Sequence, residues 1–256
     1  MSDRKRAPVS AVIAARNEAA NIAACIASLD WASEVIVVEN DSTDETAELS
    51  RRLGALVHQH PFSTIGGQRN FAIERAANEW VLVVDADEKC TPELAREITE
   101  LVSANPPASA YRVGRRNFFL GSEIRHGGWS GDRDRPIRLF RKTLRYDDSK
   151  VHEHVVVDGA VETLGGRLEH RPYSSLDEYF EKFNRYSRSW AEQNYARGRQ
   201  VRVWDVVVRP PARFVSTYVL RNGWMDGSRG ALLACLSAAS VMAKYARLWE
   251  MTLRRK

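Results

Sequence analysis

A short apolar run that ends in a cluster of carboxylates limits the possible fold more than any other feature of this chain. Val81–Val84 is an unbroken aliphatic stretch, and Asp85-Ala86-Asp87-Glu88 follows it directly. Such a run is typical of a strand that is buried on both faces, as in a parallel sheet covered by helices. Open α/β sheets bind their ligands at the carboxyl ends of the strands, and these carboxylates would lie there.

The spacing of Asp85 and Asp87 suits them to one shared ligand. Residues i and i+2 of an extended chain point the same way, and only the small Ala86 separates them. Two carboxylates on one side can bind a hard divalent cation together with its phosphates. A solvated turn after a core strand produces the same short pattern, so the interpretation depends on the rest of the chain.

The first hundred residues alternate strand and helix signals. We predict strands at Val9–Ala15, Glu34–Glu39, Ala55–His58 and Val81–Val84. We predict helices over 19–29, from a Ser42/Glu45 capping box to Gly54, from Gly66 to about Ala77, and after Thr91-Pro92. This rhythm predicts an α/β fold with a mostly parallel sheet. Its ligand loops would be Ala15–Glu18, Glu39–Asp44 and Asp85–Glu88.

Composition and missing motifs exclude several classes of protein. The chain has 256 residues and a net charge of +5, which indicates an anionic partner. No glycine-rich dinucleotide fingerprint follows the first strand, and the P-loop motif is missing. Aromatic-rich strand signatures for base stacking are also missing, so we predict no nucleic-acid partner. Cys25, Cys90 and Cys235 are widely spaced, which favours a reducing, cytoplasmic location.

We expect neither a secretory leader nor a transmembrane helix. Arg4-Lys5-Arg6 precedes a short apolar run, but Arg16-Asn17-Glu18 follows where a cleavage region should stay small and neutral. We find no apolar stretch that reaches the roughly 18–20 consecutive residues that a membrane span needs.

The pattern changes after Val102. Residues 110–113 and 137–141 read as strands, and Ser174 or Ser175 with Glu178 caps a long amphipathic helix. We expect Arg209-Pro210-Pro211 to interrupt a helix. The predicted domains are 1–172 and a helical C-terminal extension, 173–256.

The extension is basic and partly apolar. Residues 201–256 hold ten lysines and arginines against three acidic residues. On a helix, one face would carry Leu232, Leu236, Ala239, Met242, Ala246 and Trp249. We therefore expect the tail to lie on the anionic inner surface of the cell membrane. Packing of this face on the rest of the protein, or on a second copy, is the alternative.

Seven motifs in this order resemble a known family: ARNE, VEND, GGQRN, VVDADE, HGGW, RLFR and VHE. The chain resembles the family 2 inverting glycosyltransferases with a GT-A fold, and more narrowly the bacterial lipopolysaccharide core β-glucosyltransferases, over residues 8–172. The resemblance implies transfer of a sugar, with glucose as the first choice, from a UDP-sugar to a lipopolysaccharide core or another cell-envelope glycan. The alternatives are a polyprenyl-phosphate or polypeptide acceptor, or a basic membrane-surface protein without enzymatic activity.

The resemblance also assigns roles to individual residues. It implies that the donor nucleotide-sugar contacts Ala14, Arg16, Glu18, Glu39, Gln68, Arg69 and Asp85. Asp87 would hold Mg²⁺ or Mn²⁺ with His152 as a possible second ligand, and His126 and Trp129 would bind the acceptor.

Two carboxylates compete for the role of general base, because inversion needs one base opposite the leaving group. They are Glu153 in the VHE motif and Asp134 before the RLFR strand, and we favour Glu153. The loop Ser130–Arg133 is two residues longer than is usual in the family, which leaves the identity of the acceptor open.

Overall fold

A computed structural model describes residues 6–130, 135–147, 149, 153–173 and 175–254. The chain divides into two compact units. The first unit comprises residues 1–116 and 131–170, and the second comprises 117–130 and 171–256. The second unit thus takes in residues 117–130, which the sequence-based division at 172/173 assigned to the catalytic domain.

The elements up to the end of β4 alternate strand and helix, and the short strand β5 follows β4 directly. In chain order they are β1 (Ala7–Ala15), α1 (Ala19–Ala27), β2 (Ala32–Glu39), α2 (Thr46–Arg52), β3 (Leu56–Gln59), α3 (Ile65–Arg75), β4 (Trp80–Val83) and β5 (Glu88–Cys90). The elements that follow are α4 (Pro92–Ser103), β6 (Ala110–Phe119), β7 (Ser122–Ile124), β8 (Ile137–Arg141), β9 (Arg145–Tyr146), β10 (Val155–Val156) and β11 (Val161–His170).

The central sheet is mixed. Among the described residues its strand order is β3-β2-β1-β4-β8-β6-β11-β5, and β7 pairs with β6. The neighbours β3, β2, β1 and β4 are parallel, as predicted, whereas β8 pairs antiparallel with both β4 and β6. Ala15 lies opposite Glu39, and the amide of Val84 donates to the carbonyl of Val12 at 3.0 Å. The loops after β1, β2 and β4 therefore share one edge of the sheet.

The parallel strands are covered on both faces. Alternate residues of β1 enter different clusters: Val9, Ala11 and Ile13 lie in one, and Val12 in the other. Successive side chains of a strand point to opposite faces, so two clusters mean two covered faces. This burial explains the unbroken apolar run of β4. It also fixes the position of the end of β4, where the following carboxylates lie.

Helix starts in the first unit follow the predicted chemistry with one exception. Thr91 caps α4 with Pro92 in the first turn, as predicted, and the Thr64 hydroxyl caps α3. The predicted Ser42/Glu45 capping box is wrong. Ser42 instead accepts from the amide of Asn17, and Asp44 accepts from the amides of Thr46 (3.0 Å) and Ala19 (3.1 Å). A carboxylate lying between two helix starts serves both, which a pattern within one helix cannot reveal.

The second unit is largely helical. It contains α5 (Leu176–Ala196), α6 (Val203–Val215), a π-helical turn (Ser216–Leu220), a 3-10 turn (Gly223–Asp226) and α7 (Gly227–Leu253). The hydroxyl of Ser175 accepts from the amide of Glu178 at 3.1 Å, so the predicted start of α5 is confirmed. Both α5 and α6 pack on α7.

One expectation about the tail is wrong, and for a second, the absence of a membrane span, the argument from length does not hold. Pro210 and Pro211 lie inside α6 and do not interrupt it. Proline removes one helical hydrogen bond but leaves the helical φ accessible, and packing against α7 maintains the helix. The segment Gly223–Leu253 is long and apolar enough, by length and composition alone, to cross a membrane. Small residues such as alanine and serine count toward such a span, and a search for continuous aliphatic runs overlooks them.

Candidate active site

Three arginines converge on Asp85 at the ligand edge of the first unit. The shortest contacts to its two carboxylate oxygens are 2.6 Å from Arg69 Nη2, 2.5 Å from Arg138 Nη2 and 3.0 Å from Arg115 Nη2. The three come from α3, β6 and β8, so the sheet topology assembles them around the end of β4. Sequence reasoning had singled out only Arg69 among these arginines.

Glu88 closes the turn that carries these acidic residues. Its side chain is fully buried, and Oε1 accepts from Arg115 Nε at 2.6 Å and from Arg138 Nη2 at 3.0 Å. Its other oxygen accepts from the amide of Asp85 at 2.9 Å. Glu88 therefore fixes the turn 85–88 from the inside and is not placed to meet a ligand directly.

Arg69 connects this network to the favoured base. Its Nη1 lies 2.6 Å from Glu153 Oε1, although the two residues are 84 positions apart in sequence. One guanidinium thus holds Asp85 and Glu153 on either side of itself, as planar arginine can. We call Arg69, Asp85, Glu88, Arg115, Arg138 and Glu153 the Asp85 cluster.

The charges of the Asp85 cluster stabilise one another. Burial by itself would raise the pKa of Asp85, but the charges of Arg138 and Arg69 outweigh it and hold that pKa well below its usual range. Burial opposes the charged form of Arg138 as well, but Asp85 and Glu88 raise its pKa well above the usual value. Both side chains are therefore ionised at neutral pH.

The GGQRN motif acts chiefly by holding chain segments together. A side chain at Gly66 would come within 2.9 Å of the Asp147 carbonyl and 3.4 Å of Glu153 Cβ, so glycine lets the segment that carries the base approach α3. Asn70 clamps the same segment through two hydrogen bonds of 2.9 Å to the backbone of Tyr146. The motif therefore positions Glu153 as well as supplying Arg69.

Gln68 has an unexpected set of partners. Its amide nitrogen donates to the carbonyls of His60 (3.2 Å) and Pro61 (2.9 Å), which fixes the loop before α3. Its carbonyl oxygen is buried without a protein partner among the described residues. An unpaired buried acceptor is costly, so this atom is the one part of Gln68 available to a ligand donor.

Asp87 is separate from the arginines. Its Oδ2 lies 3.5 Å from Nε2 of His170, which β11 brings opposite Glu88 on β5. Among the described residues there is no group of three or more histidines, cysteines or carboxylates that could hold a metal ion. One carboxylate and one imidazole still fit a cation that takes its remaining ligands from substrate phosphates and water. The second predicted ligand, His152, lies outside the described residues.

The remaining donor-binding candidates lie at the ends of β1 and β2. Ala14 is on β1, Arg16 is exposed just beyond it, and Glu18 precedes α1 and accepts from the amide side chain of Asn21 at 2.9 Å. Glu39 is buried at the end of β2, where it accepts from the amide of Ser42. The topology thus brings these residues to the same edge as Asp85, and their contacts with a donor stay predictions.

The two predicted acceptor ligands belong to the second unit and have partners there. Nδ1 of His126 lies 3.0 Å from the Asp226 carboxylate. Trp129 packs between Phe119 and Tyr173, with ring centroids 5.8 Å and 5.9 Å away. Both residues support the core of that unit, and their role in acceptor binding stays a prediction.

The competing base, Asp134, lies outside the described residues. Glu153 is therefore the one of the two candidates whose surroundings can be described.

Comparison with known proteins decides the family. Residues 10–161, more than half of the chain, match the family model described as glycosyl transferase family 2. The chain belongs to glycosyltransferase family 2. As predicted, its fold is GT-A, an α/β sheet flanked by helices, with a helical C-terminal extension.

Several curated proteins resemble this glycosyltransferase over nearly their whole length. One is the lipopolysaccharide core biosynthesis glycosyltransferase LpsC of Rhizobium meliloti, 32% identical over 93% of both chains. Another is an uncharacterised glycosyltransferase of Rickettsia typhi, 27% identical over 96% of this chain and 88% of that one. Likeness to solved structures is partial. Glucosyl-3-phosphoglycerate synthase of Mycobacterium tuberculosis is 22% identical, with a TM-score of 0.38 over 43% of this chain and 44% of that one.

Proposed function

We propose that this protein is an inverting hexosyltransferase that moves a sugar, with glucose as the first choice, from a UDP-sugar to a lipopolysaccharide core or another cell-envelope glycan. The observation that carries the proposal is the bridge from Asp85 through Arg69 to Glu153, beside Asp87. The likeness to LpsC supports the acceptor class. A polyprenyl-phosphate or polypeptide acceptor is the second candidate, which the long loop 130–133 keeps open.

The charge balance of the site supports a divalent cation. Each of the three arginines of the Asp85 cluster already bonds to carboxylates, so a diphosphate would bring negative charge that they offset only in part. Asp87 would hold Mg²⁺ or Mn²⁺, and His170 lies within reach of the same position. When bound, the cation supplies positive charge to the departing UDP.

Glu153 would act as the general base. The acceptor hydroxyl oxygen attacks the anomeric carbon, and the bond from that carbon to the diphosphate oxygen breaks, so UDP leaves with the electron pair. The hydroxyl proton passes to the Glu153 carboxylate. Arg69 would hold Glu153 in position until substrates enter, and Gly66 and Asn70 would support the segment that carries it.

The site of action would be the inner face of the cell membrane, because core glycans grow on a lipid anchor. The basic tail and its apolar residues support this location.

Exchange of the base tests the catalytic assignment. Glu153→Gln is nearly isosteric and cannot take the proton, so sugar transfer should fall roughly 10²–10⁴-fold while UDP affinity stays near that of the wild type. Transfer is measured as radiolabelled sugar incorporated into membrane extract from a panel of UDP-sugars, and UDP binding by calorimetry. If Asp134→Asn produces this pattern and Glu153→Gln does not, the base is Asp134.

Exchange of the metal carboxylate tests the cofactor assignment. Asp87→Asn should abolish turnover and weaken Mn²⁺ binding measured by water-proton relaxation in the presence of UDP, because an amide carries no charge. Glu100→Gln, on the exposed side of α4, is the matched control and should change neither. Wild-type turnover in excess EDTA would contradict the metal assignment.

A further inference from the structure

The second unit carries a concentrated patch of exposed apolar side chains. Of the nineteen large apolar residues that are exposed among the described residues, nine fall between 203 and 225. Single exposed apolar residues are ordinary, but a group of them close together along the chain, on a helix and the turns that follow it, is typical of a binding surface. The members are Val203, Trp204, Val207, Val208, Val215, Val219, Leu220, Trp224 and Met225. We call these nine residues the α6 surface.

The helical part of this surface is one face of α6. Trp204, Val207, Val208 and Val215 lie on this face at helical spacing, and the exposed Pro211, which is not a member of the α6 surface, lies between Val208 and Val215. The opposite side of α6 faces α7. Val206 packs against the cluster that contains Tyr245 and Leu248 of α7, and the Arg209 guanidinium lies 4.8 Å from the Tyr245 ring. The α6 surface therefore remains after α6 has made its contacts within the second unit.

The face of α7 that the sequence favoured for membrane contact is largely used for packing. Leu236 is buried in a cluster with Leu233 and Tyr179, and Trp249 packs against a second cluster that includes Ala191 of α5. Only Met242 of that face is exposed. Among the described residues of the tail, the exposed apolar side chains are thus concentrated on α6 and the turns after it.

The charge of the segment selects the partner. Residues 197–256 contain twelve lysines and arginines against three acidic residues. Of these three, Asp205 bonds to Arg209 at 2.6 Å, and Asp226 accepts from the amides of Arg125 and His126. A second copy of the chain would bring the same positive charge to a two-fold contact, whereas an anionic bilayer is complementary.

We propose that the α6 surface docks the protein on an anionic lipid bilayer, with α6 lying in the plane of the headgroups. Trp204 and Trp224 near its two ends suit the headgroup boundary, and the valines between them suit the shallow acyl region. The proposal rests on the proposed function in one respect, that a lipid-anchored acceptor is met in this plane. Docking itself requires neither donor nor acceptor.

Vesicle flotation of the full-length protein without substrates tests the docking. The wild type should float with vesicles of equal parts phosphatidylglycerol and phosphatidylcholine at low salt, and less at high salt or with phosphatidylcholine alone. Val207→Asp with Val208→Asp should lower the bound fraction on the order of tenfold to a hundredfold, because two apolar side chains that would enter the bilayer are lost and negative charge is added. Met242→Asp on α7 and Leu53→Asp in the first unit are matched exposed apolar controls and should float like the wild type.

Hydrogen exchange provides a reading that does not depend on a variant. On the wild type, added vesicles should protect amides of residues 203–225 from exchange and leave those of 231–249 unchanged.

The proposal is wrong if the wild type does not float, if the double variant floats as well as the wild type, or if Met242→Asp is the variant that loses binding. It is also wrong if the wild type is a dimer by light scattering and the double variant a monomer, since the occupant would then be a second copy. Retained sugar transfer to a soluble acceptor by a variant that no longer floats separates docking from the proposed chemistry.

Discussion

Two regions of this glycosyltransferase depart from the usual distribution of side chains in opposite directions. The Asp85 cluster keeps ionised groups inside the first unit, with Glu88 fully buried and only 3% of the Arg138 side chain exposed. The α6 surface leaves apolar groups outside, with Leu220 74% and Trp204 68% exposed. Either arrangement costs free energy unless something compensates for it.

The difference lies in where the compensation comes from. In the Asp85 cluster three carboxylates face three arginines, so the chain balances its own buried charge before any substrate arrives. The apolar stripe of α6 finds no equivalent partner among the described residues of the second unit. We infer that the cluster is sensitive to the loss of any member, whereas the α6 surface is sensitive to its surroundings.

The largest expected effect is on the cluster. Arg138→Leu removes one cation and leaves Asp85 and Glu88 with too little positive charge, which should lower the free energy of unfolding by about 3–5 kcal/mol. Arg112→Leu, on the exposed side of β6, is the control and should cost no more than about 0.5 kcal/mol. Urea denaturation measures both. Equal losses in the two variants would show that the buried charges are not coupled and would remove the contrast with α6.

The parts of the fold that could be predicted from sequence are those set by local chemistry. Buried strands such as β4 (Trp80–Val83) read as continuous apolar runs, and the caps Thr91 and Ser175 act within four residues of themselves. The position of Asp85 and Asp87 at the strand end follows from the same pattern. These features need no knowledge of which distant segments meet.

The parts that could not be predicted depend on distant pairing. Arg115 and Arg138 lie on strands that pair with the rest of the sheet only in the folded chain, and nothing near them in sequence distinguishes them from surface arginines. His170 meets Asp87 because β11 pairs with β5. Periodicity also shows that a helix has an apolar face without showing whether that face is covered, which is why α7 was favoured over α6.

The second prediction asks what maintains the helix under the α6 surface. Pro211 has no N–H to donate to the carbonyl of Val207, and it lies inside α6. Pro211→Ala restores that bond, worth about 3 kcal/mol in helix preference, but gives the unfolded chain up to about 1 kcal/mol of freedom.

A net gain in the free energy of unfolding of about 1–2 kcal/mol is therefore expected, measured by thermal and urea unfolding. Pro107→Ala, in the loop after α4, is the control and should give no gain, because no helical bond is restored there. If Pro211→Ala destabilises the protein instead, α6 depends on this proline for its shape, and the position of the α6 surface is then set by the sequence of α6 itself as well as by packing on α7.

The smallest effect concerns a charge that is exposed and has a local structural role, which makes it intermediate between the two regions. Burial alone would raise the pKa of Asp44, but hydrogen bonds from the Thr46 side chain and from the amides of Ala19 and Thr46 lower it below its usual value. A lowered pKa means that the ionised form stabilises the folded state. This contribution is complete above the unfolded pKa of roughly 3.9 and is lost as the pH falls through the lower folded pKa.

Asp44→Ala should cost about 1 kcal/mol at neutral pH, as for other helix caps. Asp44→Asn should cost nearly as much, because its single amide oxygen can accept from the Thr46 amide while its amide nitrogen then faces the N–H of Ala19. Below pH 4, the free energy of unfolding of Asp44→Asn should also decrease less than that of the wild type, measured by urea unfolding across pH. If the free energy of unfolding of Asp44→Asn depends on pH as it does in the wild type, the charge of Asp44 does not stabilise the fold. The contribution of charge to stability would then be confined to buried groups such as those of the Asp85 cluster.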